Sequence, residues 1–511
     1  MPTTRSIVLA GLFTASLAQA ASADFVSWTG AAGDFNWSNA ANWSTAQVPT
    51  GSDSVLIAGG TPGSIEITGF NANCDTLISS HPIHLNNAAN LSVFTSASFN
   101  GGLSLFGSSF VPHLKNFGTI SITNSAALFN GAIDQYGTNS TTTIAPGCTV
   151  TIWDGGLGGA GVLGGYLLNN GVIQLEAGLT IGKPQAGGAP TVFINQAGGL
   201  IQGNVSAAGV YHNSGPSSTF INYGACYFNA GGALGTSVKS YNVGSLVNLG
   251  GNLNIADLES LTPSGTLLEG NYEVRNGSTI STSGTDITTI SAGASVTIDN
   301  VSRQGVSGSM SGLARAENIY GTLEVRGGAS FTLAPYIFGT VKNHGLVTVG
   351  AGSMITVFGG YLCGADGTHI IVENQSPSGV GVFQTYLGMS LHGTLQVDFF
   401  DDQLLSIPGS SFVMANLFDP QSGAIDGQFD TVTVFGASGA PSHIEYSSSN
   451  VKLVGGLGCD GDLNSDGAVN GADLATLLGS WGGTGGADLD QNGVVDAADL
   501  AILLGAWGTC S

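Results

Sequence analysis

Two stretches near the C-terminus place oxygen-bearing side chains at the spacing that wraps a chain around a hard cation. They read Asp462-Leu-Asn464-Ser-Asp466-Gly467-Ala468-Val469-Asn470-Gly-Ala-Asp473 and Asp488-Leu-Asp490-Gln-Asn492-Gly493-Val494-Val495-Asp496-Ala-Ala-Asp499. Calcium takes six to eight oxygens; a 12-residue loop supplies them from side chains at positions 1, 3, 5, 9 and 12 and a backbone carbonyl at position 7, with glycine at position 6 for the sharp turn. Both stretches meet every requirement, Ala468 and Val494 giving the position-7 carbonyls, so two Ca2+ ions are expected. Position 12 is Asp where Glu is usual, and too little chain precedes each loop for an entering helix. After the loops, Leu474, Leu477, Leu478 and Trp481, then Leu500, Leu503, Leu504 and Trp507, recur at i, i+3, i+4 and i+7. Each loop therefore launches one short amphipathic helix.

Duplicated EF-hand-like loop-helix units with Asp at position 12 resemble the type I dockerin domain, a small calcium-folded module. The resemblance covers residues 459–511 and implies docking onto a cohesin-type domain of a scaffold or cell-surface protein. Dockerins commonly contact the partner through loop positions 10 and 11, here Gly471-Ala472 and Ala497-Ala498, which lack the Ser/Thr pair of well-known members. In such a two-fold module the chain ends lie close together, which makes a Cys459–Cys510 disulfide geometrically plausible. On the chain-entropy model that clasp would contribute about 4 kcal/mol. A dockerin usually tethers a polysaccharide-active protein, so a place in polysaccharide catabolism and carbohydrate contact come with the resemblance.

The rest of the chain is poor in residues that do chemistry. A lyase needs a basic residue to take a proton α to a uronate carboxyl, and the candidates are Arg275, Arg303, Arg315 and Arg326, read as lying in separate coils without an Asp triplet. A glycosidase needs two carboxylates a few ångströms apart, and Asp398, Asp401 and Asp402 are the nearest approach. The eight histidines (81, 84, 113, 212, 344, 369, 392 and 443) show no metal-ligand spacing and read as corner residues. The residues favour a non-catalytic structural or binding body; a β-helical polysaccharide lyase or glycoside hydrolase is the alternative.

The scaffold that must carry these groups is written in the composition. Glycine supplies 81 of 511 residues and charged residues only 8%, far from average usage and from a helical enzyme. With 10 Lys+Arg against 33 Asp+Glu the net charge is −23, which repels a phosphate backbone and excludes nucleic-acid binding. Arg5, the apolar run Ile7–Leu17 and small residues to Ala23 form a signal peptide for residues 1–23, so export is expected, and no other run is long enough to span a bilayer.

Between 52 and 454 one phrase recurs: Asn116-Phe-Gly118-Thr-Ile120-Ser-Ile122, Asn170-Gly171-Val-Ile173-Gln-Leu175, Asn222-Tyr-Gly224 and Asn343-His-Gly345-Leu-Val347-Thr-Val349. Turn-plus-strand units recurring every 24 to 27 residues, or twice that, describe coils rather than hairpins. The expected fold is mainly β, a right-handed parallel β-helix with a small α-helical calcium module at its end, an Asn ladder along one corner, and irregular coils at 183–216 and 256–316. Residues 24–51 hold Trp28-Thr-Gly-Ala-Ala-Gly33-Asp-Phe-Asn-Trp37 and Trp43, resembling the start of secreted bacterial β-helix and autotransporter-like proteins; they read as a hydrophobic cap, with sugar stacking as the alternative. A C-terminal cap is expected from about 405, then a glycine linker at 455–458.

Overall fold

The computed structural model describes residues 24–59, 63–108, 110–136, 139–158, 165–181, 191–212, 218–235, 238–282, 284–300, 309–373, 379–399, 411–435, 442–455, 461–464, 468–490 and 492–509. The signal-peptide segment, Cys459 and Cys510, Asp466, Arg303, Asp401 and Asp402 lie outside these. The chain is mainly β, 53% strand and 6% helix, and its strands stack as a parallel β-solenoid.

Alternation is the cause. In Ile65–Thr68, Ile83–Asn86 and Leu103–Phe106 the first and third residues are buried and the others face out, as a two-residue period requires. Stacked in register, such strands build columns. One interior column climbs through Ile67, Leu85, Leu105, Leu128, Ile152, Leu175, Gly203 and Phe228. Volumes complement along it: a Cβ on Gly203 would lie 2.8 Å from the Phe228 ring. Each buried Ile or Leu contributes roughly 1.5–3 kcal/mol, and the coils merge into one core from Val26 to Leu453, separate from a small second core in the C-terminal module.

The recurring Asn and Gly turn out to have different jobs from those their turn propensity suggests. Asn116, Asn222 and Asn343 point inward and are fully or almost fully buried, and at the second copy the buried residue is Asn169 rather than Asn170. Asn169 Nδ2 donates to Asn195 Oδ1, Asn195 Nδ2 to Asn222 Oδ1 and Asn222 Nδ2 to Asn242 Oδ1, each at 2.8 Å. This is the expected ladder. In some copies the Asn also accepts from the glycine amide two residues on, as Asn116 Oδ1 does from Gly118 (2.9 Å) and Asn343 Oδ1 from Gly345 (3.1 Å), whereas the Gly224 amide donates to Asn195 O (3.2 Å). The phrase glycines are required by contact rather than by a left-handed backbone: a Cβ on Gly118 would sit 2.1 Å from Thr95 O, on Gly224 2.2 Å from Gly199 O, and on Gly345 2.2 Å from Gly321 O. Here the backbone of one coil rests on the carbonyl of the coil below.

Both ends are closed. Trp28, Trp37 and Trp43 are buried and pack edge to face, with centroids 4.9 and 4.8 Å apart, and Trp43 Nε1 donates to Trp37 O at 2.8 Å. Rings so enclosed offer no face to a sugar, which favours the cap reading. At the other end Ser411–Leu417 continues a parallel stack on Val382–Thr385, then pairs antiparallel with Asn450–Gly455, which pairs antiparallel with Ser442–Tyr446. Of the region 183–216, residues 183–190 and 213–216 lie outside the described residues; within the rest, Val192–Asn195 and Leu200–Gly203 keep full register with the coils on either side, and Gly209–His212 pairs fully with Gly178–Ile181 but only through Gly209 and Val210 with the next coil. At 256–316 long strands Thr266–Arg275 and Thr289–Asp299 replace the short phrase.

His369 is a further correction, for it is no corner residue. It lies inside the core against Phe383 and Phe429, with Nδ1 3.0 Å from Tyr361 Oη and Nε2 without a hydrogen-bond partner. Burial pushes its imidazole down to about 4. The unfolded chain takes up this proton more readily than the folded one, so the neutral ring's stability is present above about pH 6.5 and is lost as pH falls toward 4, by on the order of 3 kcal/mol. Thermal unfolding of wild type and His369→Gln at pH 7 and pH 4 checks this: the wild type is expected to lose more stability, and equal losses would refute it.

Candidate functional site

The C-terminal module is built from two helices, α1 (Gly471–Gly479) and α2 (Ala497–Gly505), each launched by its loop. Asn470 and Asp496 cap them, accepting from Ala472 and Ala498 amides at 2.8 Å, and the third helical residue, Asp473 or Asp499, completes a capping box. In the second loop one carboxylate oxygen each from Asp488, Asp490 and Asp499 lies within 4.8 Å of the others. Gly493, at position 6, has φ +93°, the backbone that glycine alone adopts without strain. Asp488 accepts from the amides of Asn492 (3.1 Å) and Gly493 (2.8 Å), which wraps the loop around its first residue. Asp499 accepts from Leu489 (2.6 Å), Asp490 (3.0 Å) and Asp496 (2.7 Å) amides. Those bonds, the Asp496 amide foremost, hold its carboxyl below the usual carboxylate range.

The first loop repeats the pattern: Asp473 accepts from Leu463, Asn464 and Asn470 amides at 2.8, 3.1 and 2.8 Å. Position 12 is thus doubly employed, and Asp rather than Glu fits because the shorter side chain reaches the loop amides while its remaining lone pairs face the other carboxylates. The donor set fits a hard divalent cation. Asp462, Asn464, Ala468, Asn470 and Asp473 would hold one ion, with Asp466, and Asp488, Asp490, Asn492, Val494, Asp496 and Asp499 the other. No Lys or Arg occurs in 459–511, so no Lys or Arg of that segment balances the carboxylates that converge in the second loop.

The two halves exchange strands. Val469 of the first loop pairs with Gly508 after α2, while Val495 of the second loop bonds Gly482 and Gly483 after α1 at 2.8 and 2.9 Å. Leu477 and Leu503 are buried with Val469 and Val495, and Leu474 and Leu500 pack against them. The other half of each apolar stripe faces out: Leu478, Trp481, Leu504 and Trp507 are about half exposed. Gly471, Ala472, Ala497 and Ala498 are exposed as well. Spacing alone could not separate the two sides, since both lie on one helical arc.

On the body, the structure brings together charges that the sequence reading kept apart. Arg275, Asp299 and Arg326 are register partners in three successive coils, and Glu273, Thr297 and Glu324 form the next column. Arg326 meets Asp299 (2.8 Å), Glu273 (2.8 Å) and Glu324 (3.2 Å), and Arg275 meets Glu273 (2.7 Å). The signal was present, for 275, 299 and 326 are one coil apart. Arg315 lies elsewhere, over the Tyr336 ring at 4.8 Å, and Asp398 accepts from Gln396. Four histidines pair with carboxylates: His84 with Glu66 (3.0 Å), His113 with Asp134 (2.6 Å), His344 with Asp366 (2.9 Å) and His443 with Glu445 (3.6 Å). Cys74, Cys148, Cys226 and Cys363 are buried free thiols, and burial raises each. Among the described residues no helix is long and apolar enough to cross a membrane. No known family, curated protein or solved structure matches the chain.

Proposed function

We propose that the protein is a secreted structural or binding protein whose solenoid body is held in an extracellular, polysaccharide-associated assembly through calcium-dependent docking of residues 459–511 onto a cohesin-type domain. The observation that carries this reading is the convergence of Asp488, Asp490 and Asp499 within 4.8 Å in a loop whose twin meets the same pattern. Bound calcium would neutralise the carboxylates and so permit the two helices to pack. The partner surface combines Gly471, Ala472, Ala497 and Ala498 with the exposed Leu478, Trp481, Leu504 and Trp507. Aromatic residues so placed are the kind that anchor interfaces.

Because the halves are near-duplicates, either could face the partner. Asp462→Ala or Asp488→Ala alone is therefore expected to leave docking measurable, while the double change abolishes it. The check is a pull-down of cell-surface proteins from the native organism by wild type, each mutant, and wild type with chelator. Recovery of no calcium-dependent partner by the wild type sinks the docking function and leaves a calcium-stabilised C-terminal plug.

The alternative, a polysaccharide lyase or glycoside hydrolase, draws support from the cluster of Glu273, Asp299, Glu324, Arg275 and Arg326. Arg326 spans all three carboxylates, which suits a clasp between coils better than an acid and base pair. Product release from a panel of polysaccharides, lost in Glu273→Gln or Glu324→Gln, would reverse the preference.

A further inference from the structure

Glu66, His84 and Ser104 are consecutive members of one outward-facing column: Glu66 is the register partner of His84, and His84 of Ser104. Neighbours in such a column stand about 4.8 Å apart. Glu66 Oε1 lies 3.0 Å from His84 Nδ1, and Asn86 Nδ2 donates to the other oxygen, Oε2, at 2.7 Å. The carboxylate is thus fixed at both oxygens and its bond to Nδ1 selects the imidazole tautomer in which Nε2 is the proton acceptor. With Nδ1 turned toward Glu66, the opposite Cδ2–Nε2 edge is on the Ser104 side. His84 and Ser104 both line an open groove of about 340 Å3, whose other lining residues include Gly102, Ser125, Ala127 and Thr149. Ser104 is half-buried among small lining residues, and the lining includes no Lys or Arg to hold an anion.

We propose that this groove is an ester-hydrolysing site, with Ser104 as nucleophile, His84 as general base and Glu66 as the positioning carboxylate, acting on small uncharged carboxylic esters. No hydrogen bond joins Ser104 Oγ to His84 Nε2 in this structure; a carbonyl carbon entering the groove would draw Oγ into line, and such bonds are often long before substrate binds. His84 Nε2 takes the Ser104 proton as Oγ bonds to the carbonyl carbon. The carbon–oxygen bond to the alcohol then breaks and the leaving oxygen takes that proton from His84. Water repeats the sequence on the acyl-serine, releasing the carboxylic acid and restoring Ser104, so one ester and one water give one acid and one alcohol. The Ser125, Thr149 and Thr151 hydroxyls that also line the groove are the side-chain donors available for the developing oxyanion. The site goes beyond the docking reading and would add a reaction to a body read above as structural.

The test uses the full chain. A fluorophosphonate probe followed by peptide mass spectrometry is expected to find a phosphonyl adduct on Ser104, and 4-nitrophenyl acetate to turn over. Turnover should fall to background in Ser104→Ala and by about 100-fold or more in His84→Ala. Glu66→Gln should reduce turnover while leaving the strand signal in circular dichroism unchanged. Repeating the assay in chelator separates this site from the calcium reading, because the groove lies far along the chain from residues 459–511 and its activity should persist. No adduct on Ser104, or turnover in Ser104→Ala equal to wild type, overturns the proposal.

Discussion

Excess chelator is expected to unfold the C-terminal module while the solenoid stays folded. The module's buried core is Val469, Leu477, Ala487, Val495 and Leu503, too little apolar surface for a segment of this size to be stable alone. Against it stand eight carboxylate side chains in 459–511 with no cation on the same segment. Three of them converge within 4.8 Å, close enough for like charges to repel one another. An ion that binds only the folded loops turns that repulsion into attraction, so its binding energy is folding energy. Hydrogen exchange on the full chain reads both parts at once. Chelator should abolish protection of amides in α1 and α2 and leave that of the solenoid strands unchanged. Retained protection in both helices with the cysteines reduced would falsify the metal-coupled reading.

Asn195→Ala is expected to be the most damaging single change in the body. Asn195 is fully buried in mid-ladder, accepting from Asn169 and donating to Asn222 Oδ1, with Gly199 O and Ala225 O also within 3.2 Å of Nδ2. Truncation leaves Asn222 Oδ1 without its donor in the interior at about 1–3 kcal/mol, while Asn169 Nδ2 keeps Leu200 O as an acceptor at 3.2 Å, and the void adds to the cost. A loss of about 2–4 kcal/mol follows. Because each coil touches only its neighbours, the damage should be local. Exchange should quicken in Tyr166–Asn169, Val192–Asn195 and Ser218–Asn222 well before it does in the first and last coils. A uniform change along the rod, or none, would refute the ladder's role.

The coil period and the strand alternation were legible because both are imposed by the backbone. Most inward side chains are apolar or, like Asn169, Asn195 and Asn222, bond the next coil, and the phrase glycines must clear a carbonyl, so the same letters return along the chain. Where 256–316 drops the phrase, long strands carry the register, burying Leu267, Tyr272, Val274, Ile290, Val296 and Ile298. The calcium loops were legible for a like reason, since a cation dictates ligand type and spacing within twelve residues. Pairings across coils were not. Arg275 with Arg326, or Glu66 with His84 and Ser104, meet only when the number of residues per coil is known at each turn, and that number varies with each corner. His369 was misread because its partners, Tyr361 and Phe383, come from other strands.

The antiparallel closure of the body has a mechanical consequence. If residues 459–511 are held by a partner while flow drags on the rod, tension enters the body at Asn450–Gly455. That strand is bonded along both edges, to Ser411–Leu417 on one side and Ser442–Tyr446 on the other. Pulling it out means rupturing two ladders together, whereas a terminal strand on an open stack would peel away bond by bond. The last strand would thus serve as a strain relief for the stack behind it.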